Sequence, residues 1–178
     1  NGVVVGSGSS LDLAAIAASP QDSVTCTALV TDSAGAAATD STSVSIDNRL
    51  PTVGTVSFSP ATVSTNQLLS ASAAASDADG QSTTLDYEWH VVDLSGIDAV
   101  VQSGASSTLD GAQHFSRDEE VYVVVTASDG LASSAPVTSA SVTVLNSAPS
   151  TPVLSLTPNP AAAGQDDLLC SIDVVSTD

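Results

Sequence analysis

Apolar and polar residues alternate along most of this chain. In VTCTALV (24–30), VYVVVTA (121–127), SVSI (43–46) and SVTV (141–144), apolar residues occupy alternate positions. A period of two is that of a strand with one buried face. Val and Thr dominate these runs, and β-branched side chains suit a pleated, half-buried surface. Turn signals separate them: NG at 1–2, DADG at 77–80 and SDG at 128–130. No window carries a capped apolar stripe of helical period. AAIAASP (14–20) offers one helical turn at most, and AAAG (161–164), after two prolines, reads as a turn. The pattern predicts an all-β chain.

The pattern also repeats. SVSIDNRLP (43–51) matches SVTVLNSAP (141–149) at a shift of 98, and SSLD (9–12) matches STLD (107–110) at the same shift. SVTCTALVTD (23–32) matches EVYVVVTASD (120–129) at 97, and LLCSIDVVSTD (168–178) follows LLSASAAASDAD (68–79) at about 99. The shifts divide the chain into 1–48, the C-terminal part of a repeat; 49–146, a complete repeat; and 147–178, the N-terminal part of a third. A unit of about 98 residues has the size of a seven-stranded β-sandwich. In the complete unit the strands are expected at 53–59 (A), 67–76 (B), 84–92 (C), 98–102 (C′), near 106–110 (E), 120–128 (F) and 138–145 (G).

Composition narrows the function classes. The chain has 178 residues, 42% hydrophobic but only 3% aromatic, so its core must be built from Val, Ala, Leu and Ile. Its only cations besides histidine are Arg49 and Arg117, and the formal charge is −18. That charge repels nucleic acid and anionic membranes. No apolar run approaches the ~18 residues of a membrane-spanning helix. A chain that opens NGVVVG and has no Met is expected to be a piece of a longer polypeptide. Ser and Thr supply roughly a quarter of the residues, a bias common in secreted β-rich proteins.

The N-x-x-P start (48–51), SDADG (76–80), YEW (87–89), VYVVVTASDG (121–130) and SVTV (141–144) resemble tandem immunoglobulin-like repeats of bacterial secreted and cell-surface proteins, in the group that spans PKD-like and cadherin-like modules. The resemblance covers the whole chain, but its motifs belong to the fold. The W-x-F-G-D-G run of PKD domains is missing, since HVVDLSG follows Trp89. The resemblance implies tandem immunoglobulin-like β-sandwiches, with Trp89 buried in the core beside Ala71 and Val123. It also implies a role for the cysteines. Cys26 falls in strand F of the first segment and Cys170 in strand B of the last, the two strands that carry the inter-sheet disulfide of immunoglobulin domains. Each would pair with a neighbouring or adjoining segment. The alternative is two unrelated buried thiols.

One cluster has metal chemistry. In such a topology the B–C turn (Asp77, Asp79), the F–G turn (Asp129) and the linker (Asp47, Asn48) lie at one end. Hard oxygens from three segments suit Ca²⁺, and cadherin-like arrays are similar in holding calcium at domain junctions. The plainer alternative is turn formation alone, for which Asp and Gly are favoured. Catalysis finds no constellation: G-x-S-x-G, H-E-x-x-H and C-x-x-C are absent, and GSGSS (6–10) has no Lys to work as a phosphate loop. His90 is expected to face outward from strand C, and His114 to lie in the E–F connection. We expect a non-enzymatic structural module of an extracellular filament, stalk or surface fibre, joined head to tail to copies of itself or to adjoining repeats. The alternative is an adhesin or carbohydrate-binding repeat, for which Tyr87 and Tyr122 are the exposed aromatic candidates.

Overall fold

The structure is a computed structural model that describes residues 2–175. Residue 1 of the NG turn signal and the last three residues of the expected 147–178 segment lie outside that range. In chain order, a single 3₁₀ turn (Leu13–Ala15) precedes β1 (Ser23–Thr31) and β2 (Ala37–Ser45). There follow β3 (Thr52–Val53), β4 (Ser57–Ser59), β5 (Val63–Ser64), β6 (Leu68–Ser72), β7 (Ala75–Ser76), β8 (Thr84–Val92) and β9 (Asp98–Gly104). After β10 (Thr108–Asp110), a four-residue helix α1 (Gly111–His114) leads to β11 (Glu120–Ser128) and β12 (Val137–Thr138). The chain closes with β13 (Val142–Leu145), β14 (Val153–Thr157) and β15 (Leu169–Val174). The fold is all-β. Two compact units divide it: Asn1–Val56, Ala73–Tyr87 and Val124–Thr138 in the first, Ser57–Ser72, Glu88–Val123 and Ser139–Asp178 in the second.

In the first unit β1 and β2 form an antiparallel hairpin with unbroken register from Ser23↔Ser45 to Thr31↔Ala37. Its turn is set by Asp32, whose carboxylate accepts from the amides of Ala34 and Ala36, and by Gly35 at φ 88°. The hairpin is largely exposed, with Leu29, Val30 and Val44 open to solvent. Further along, β3 pairs antiparallel with β7, and β12 with the end of β11. Pro51, Val56, Tyr87, Val125 and Ala127 are buried in this unit. Ser134 is buried too, and its hydroxyl accepts from Ala127 N and donates to Ala135 O. Both its roles are filled, as burial of a hydroxyl requires.

In the second unit β10, β6 and β4 form one sheet in that order, and a larger sheet runs β5-β13-β11-β8-β9. Several strands bury an apolar face: Leu69 and Ala71 on β6, Trp89 and Val91 on β8, Val121 and Val123 on β11, Val144 on β13. Trp89 is fully buried, stacks on Phe58 at a centroid distance of 5.8 Å, and donates its indole N–H to Ser106 O. A buried indole needs such an acceptor. The terminal hairpin β14–β15 belongs to this unit and exposes Leu154, Leu156, Leu169 and Ile172. Among the described residues, every buried one lies between 51 and 144.

Three expected strands are interrupted. Strands A and B break together, A into β3 and β4, B into β6 and β7. Gly54 N donates to Ala74 O at the break, beyond which the pairing passes to β4 and β6. Strand G divides into β12 and β13, because Ser139 bonds Val123 twice: its N–H donates to Val123 O, and its hydroxyl accepts from Val123 N. The helix α1 stands where a connection was expected, capped by the Asp110 carboxylate on Ala112 N.

The same local geometry recurs 97 or 98 residues apart. Asp12 caps the first 3₁₀ turn at φ −85°, ψ 113°, and Asp110 caps α1 at φ −86°, ψ 114°. Gln21 and Asp118 both adopt positive φ, 71° and 68°. Gln21 N donates to Ile46 O as Asp118 N does to Val144 O, and Ile46 N to Asp22 O as Val144 N does to Glu119 O. Asp22 accepts from Ser19 N as Glu119 does from Ser116 N. Strands β1 and β11 are both nine residues long. At the other end, Leu156 faces Cys170 in the register in which Phe58 faces Ala71.

Candidate functional site

The linker residues 48–54 and the two acidic turns come together in the first unit. The DADG turn is closed by the Asp77 carboxylate, whose Oδ1 accepts from Asp79 N and Gln81 N, with Gly80 at φ 78°. The SDG turn is closed by Asp129, whose Oδ1 accepts from Leu131 N at 2.7 Å and Ala132 N at 2.6 Å. These are the Asx geometries that Asp favours in turns. Asp129 and Asp79 also bond to the linker. Asn48 Nδ2 donates to Asp129 Oδ2 at 2.9 Å. Arg49 gives Asp79 two bonds, from its backbone N to Oδ2 at 2.7 Å and from Nε to Oδ1 at 2.6 Å. Its Nη2 donates to Ala78 O at 2.6 Å.

The electrostatics follow from these donors. The Arg49 backbone amide, then its guanidinium, hold the Asp79 carboxyl below the usual carboxylate range. Asp129 is held low by the Asn48 amide first and by the turn amides of Ala132 and Leu131. Three oxygens have no such donor: Asn48 Oδ1, Asp77 Oδ2 and Gln81 Oε1 are buried without a hydrogen-bond partner. Of the expected ligand set, Asp77, Asp79, Asp129 and Asn48 therefore belong to one bonded cluster, while Asp47 is exposed. Arg49 and Gln81 were not expected in it. Arg49 is adjacent to Asn48 in sequence and is one of only two arginines, a signal that pointed to it. Gln81 follows the turn directly but carries no charge to mark it.

A second cluster lies on the outward side of β8, β9 and β11 in the second unit. His90 Nδ1 lies 3.0 Å from Asp98 Oδ1 and 3.0 Å from the Tyr122 hydroxyl, and its Nε2 lies 3.1 Å from Glu88 Oε1. The His90 and Tyr122 rings stack at 4.5 Å, and Tyr122 donates its hydroxyl proton to Asp98. That bond, with desolvation, pushes Tyr122 up to about 12; the same bond and then the one to His90 hold Asp98 low against its desolvation. A tyrosine so held cannot act as a base near neutral pH. His90 thus stands on the outward side but is tied down by its neighbours, and His114 ends α1. Tyr87 corrects an expectation. It is buried, because it shares the inward parity of Trp89 and Val91 on β8, so it offers no exposed aromatic surface.

Cys26 and Cys170 are both exposed free thiols, one on β1 and one on β15. By the 97-residue recurrence Cys26 holds the place of Val123, and by register Cys170 holds that of Ala71. Comparison with family models, curated proteins and solved structures finds no match. No helix among the described residues is long and apolar enough to cross a membrane.

Proposed function

We propose that this chain is a structural segment of an extracellular array, built from immunoglobulin-like sandwiches that repeat about every 98 residues. The observation that carries the reading is the recurrence of caps, positive-φ residues and hydrogen bonds at 97–98 residues. Local geometry of that detail reflects one sequence pattern used more than once. Repeats joined by short linkers form quasi-one-dimensional chains in which each unit meets only its neighbours. The exposed Cys26, Ala28 and Val30 of β1 and Cys170 of β15 fit this role, since their counterparts Val123, Val125, Ala127 and Ala71 are core residues. In the array each cysteine meets its partner in an adjoining segment, across the two sheets.

The test is hydrodynamic. Tandem copies of residues 49–146 joined by their own linker should scatter X-rays as a rod whose length rises in proportion to copy number. A compact particle that thickens as copies are added rejects the array.

Two further readings attach to this segment. The three partnerless oxygens, Asn48 Oδ1, Asp77 Oδ2 and Gln81 Oε1, are hard acceptors of the kind Ca²⁺ takes. Asn48 Oδ1 and Asp77 Oδ2 support a calcium ion at that end, although Asp79 and Asp129 are committed elsewhere and no group of three acids, histidines or cysteines placed to hold a metal occurs among the described residues. The adhesin or carbohydrate reading is weaker. Sugar stacking uses exposed aromatic faces, while Trp89 and Tyr87 are buried and Tyr122 lies against His90.

A further inference from the structure

The linker is attached to the following residues step by step. Gly54 N donates to Ala74 O, Val53 pairs with Ala75 and Thr52 with Ser76, and the Thr52 hydroxyl adds a bond to Ser76 O. Arg49 then reaches Ala78 and Asp79, and Asn48 reaches Asp129. The contacts form an antiparallel zipper whose open end is the Arg49–Asp79 pair. A zipper frays from its open end, so the contact there is the first to open. At that end the Asp129 charge opposes that of Asp79, which follows Asp77 in the same turn. A cation there offsets the repulsion. Arg49 brings one, placed by two donors on different Asp79 oxygens and by a third bond to the backbone.

We infer that Arg49 is a built-in cation that fastens the linker to the DADG turn, so that the course of residues 48–54 is set without a bound metal ion. As a device that stiffens a junction the clasp rests on the array reading above; as a contact it stands without it. Most of the Arg49 side chain is in water, 65% exposed, while Asp79 is only 12% exposed. An exposed ion pair alone is worth little. Here the backbone amide of Arg49 shares the same carboxylate, which places the guanidinium before its side chain orders. Arg49 therefore acts as a positioning residue for the linker. The zipper's contacts are all between protein groups, so they close without an ion.

Hydrogen exchange on the full chain at neutral pH tests the inference, with EGTA and with millimolar Ca²⁺ as parallel arms. Protection of the Arg49 amide should already be present with EGTA, and an ion on Asn48 would only add to it. Arg49→Ala and Asp79→Ala should each lower it about tenfold or more, the scale of a hydrogen bond to a charged group. The double variant should lose less than the sum of the two, because the Arg49 guanidinium and the Asp79 carboxylate share one contact. Arg49→Lys should restore part of the protection, and Arg117→Ala, at an exposed pair with Asp118, should change nothing. Protection that appears only with Ca²⁺ assigns the linker to a metal and overturns the inference. So does an Arg49→Ala variant with unchanged exchange. A compact particle in the tandem scattering experiment would remove the array and leave these exchange rates as they are, so the two failures are distinguishable.

Discussion

Trp89 is the largest fully buried side chain of the second unit. It is fully buried, stacks on Phe58 and donates to Ser106 O. Trp89→Ala removes the ring pair, leaves a cavity and strands a carbonyl. Chemical denaturation should show a loss of ~3–5 kcal/mol, as for other large core truncations. A loss below ~1 kcal/mol would mean that the site collapses around the gap. Trp89 was legible in the sequence because strand parity and the resemblance agreed on it. The same parity places Tyr87 inside, two residues before it, and the exposed-aromatic expectation failed by not applying it. The His90 cluster was not legible. Glu88, His90, Asp98 and Tyr122 come from three strands, and only strand pairing brings them within bonding distance.

Strands show the same division. The expected F strand, 120–128, has the bounds of β11, because five β-branched residues in nine leave little choice. Strands A, B and G were read as continuous, yet each breaks where a strand changes partner or a serine hydroxyl replaces a backbone group. Hydrophobic alternation does not register such a change. Between elements, the recurrence makes a claim about cysteines. If Cys26 and Cys170 occupy one cross-link position, the complete unit should accept the bond at the residues that stand in for them. The double variant Ala71→Cys, Val123→Cys should close a disulfide when oxidised by glutathione disulfide. Both thiols are consumed, and their two electrons and two protons reduce the oxidant to glutathione. The mass should fall by ~2 Da, and the thermal midpoint should rise reversibly with oxidation, since a cross-link typically adds ~2–4 kcal/mol. Two thiols that stay titratable after oxidation would separate the two positions and remove the argument for paired cysteines.

At the scale of the molecule, charge is the dominant fact. A formal charge of −18 repels itself, and compact states bear that repulsion more than extended ones. A divalent cation held by Asn48 and Asp77 would relieve part of it. Millimolar Ca²⁺ should raise the melting midpoint of the chain by several degrees, by the mass-action rule for a ligand of the native state. Asp77→Asn should remove most of that rise, and Asp79→Ala should remove less of it, because Asp79 is already paired with Arg49. A midpoint that ignores both Ca²⁺ and EGTA leaves the acids as turn formers.

The sequence alone determined the all-β character and the alternate inward positions, because a period of two and β-branched side chains act locally. It also showed similar stretches about 98 residues apart, since local patterns are visible without coordinates. Tertiary structure decided what depends on which segments meet. It set the breaks in three strands, the burial of Tyr87, the Tyr122–Asp98–His90 contacts, and the capture of Asp79 by Arg49. The physical reason is one of range. Backbone geometry and alternation are properties of a few consecutive residues, whereas a hydrogen bond across 30 or 81 residues exists only once folding has brought its two ends together.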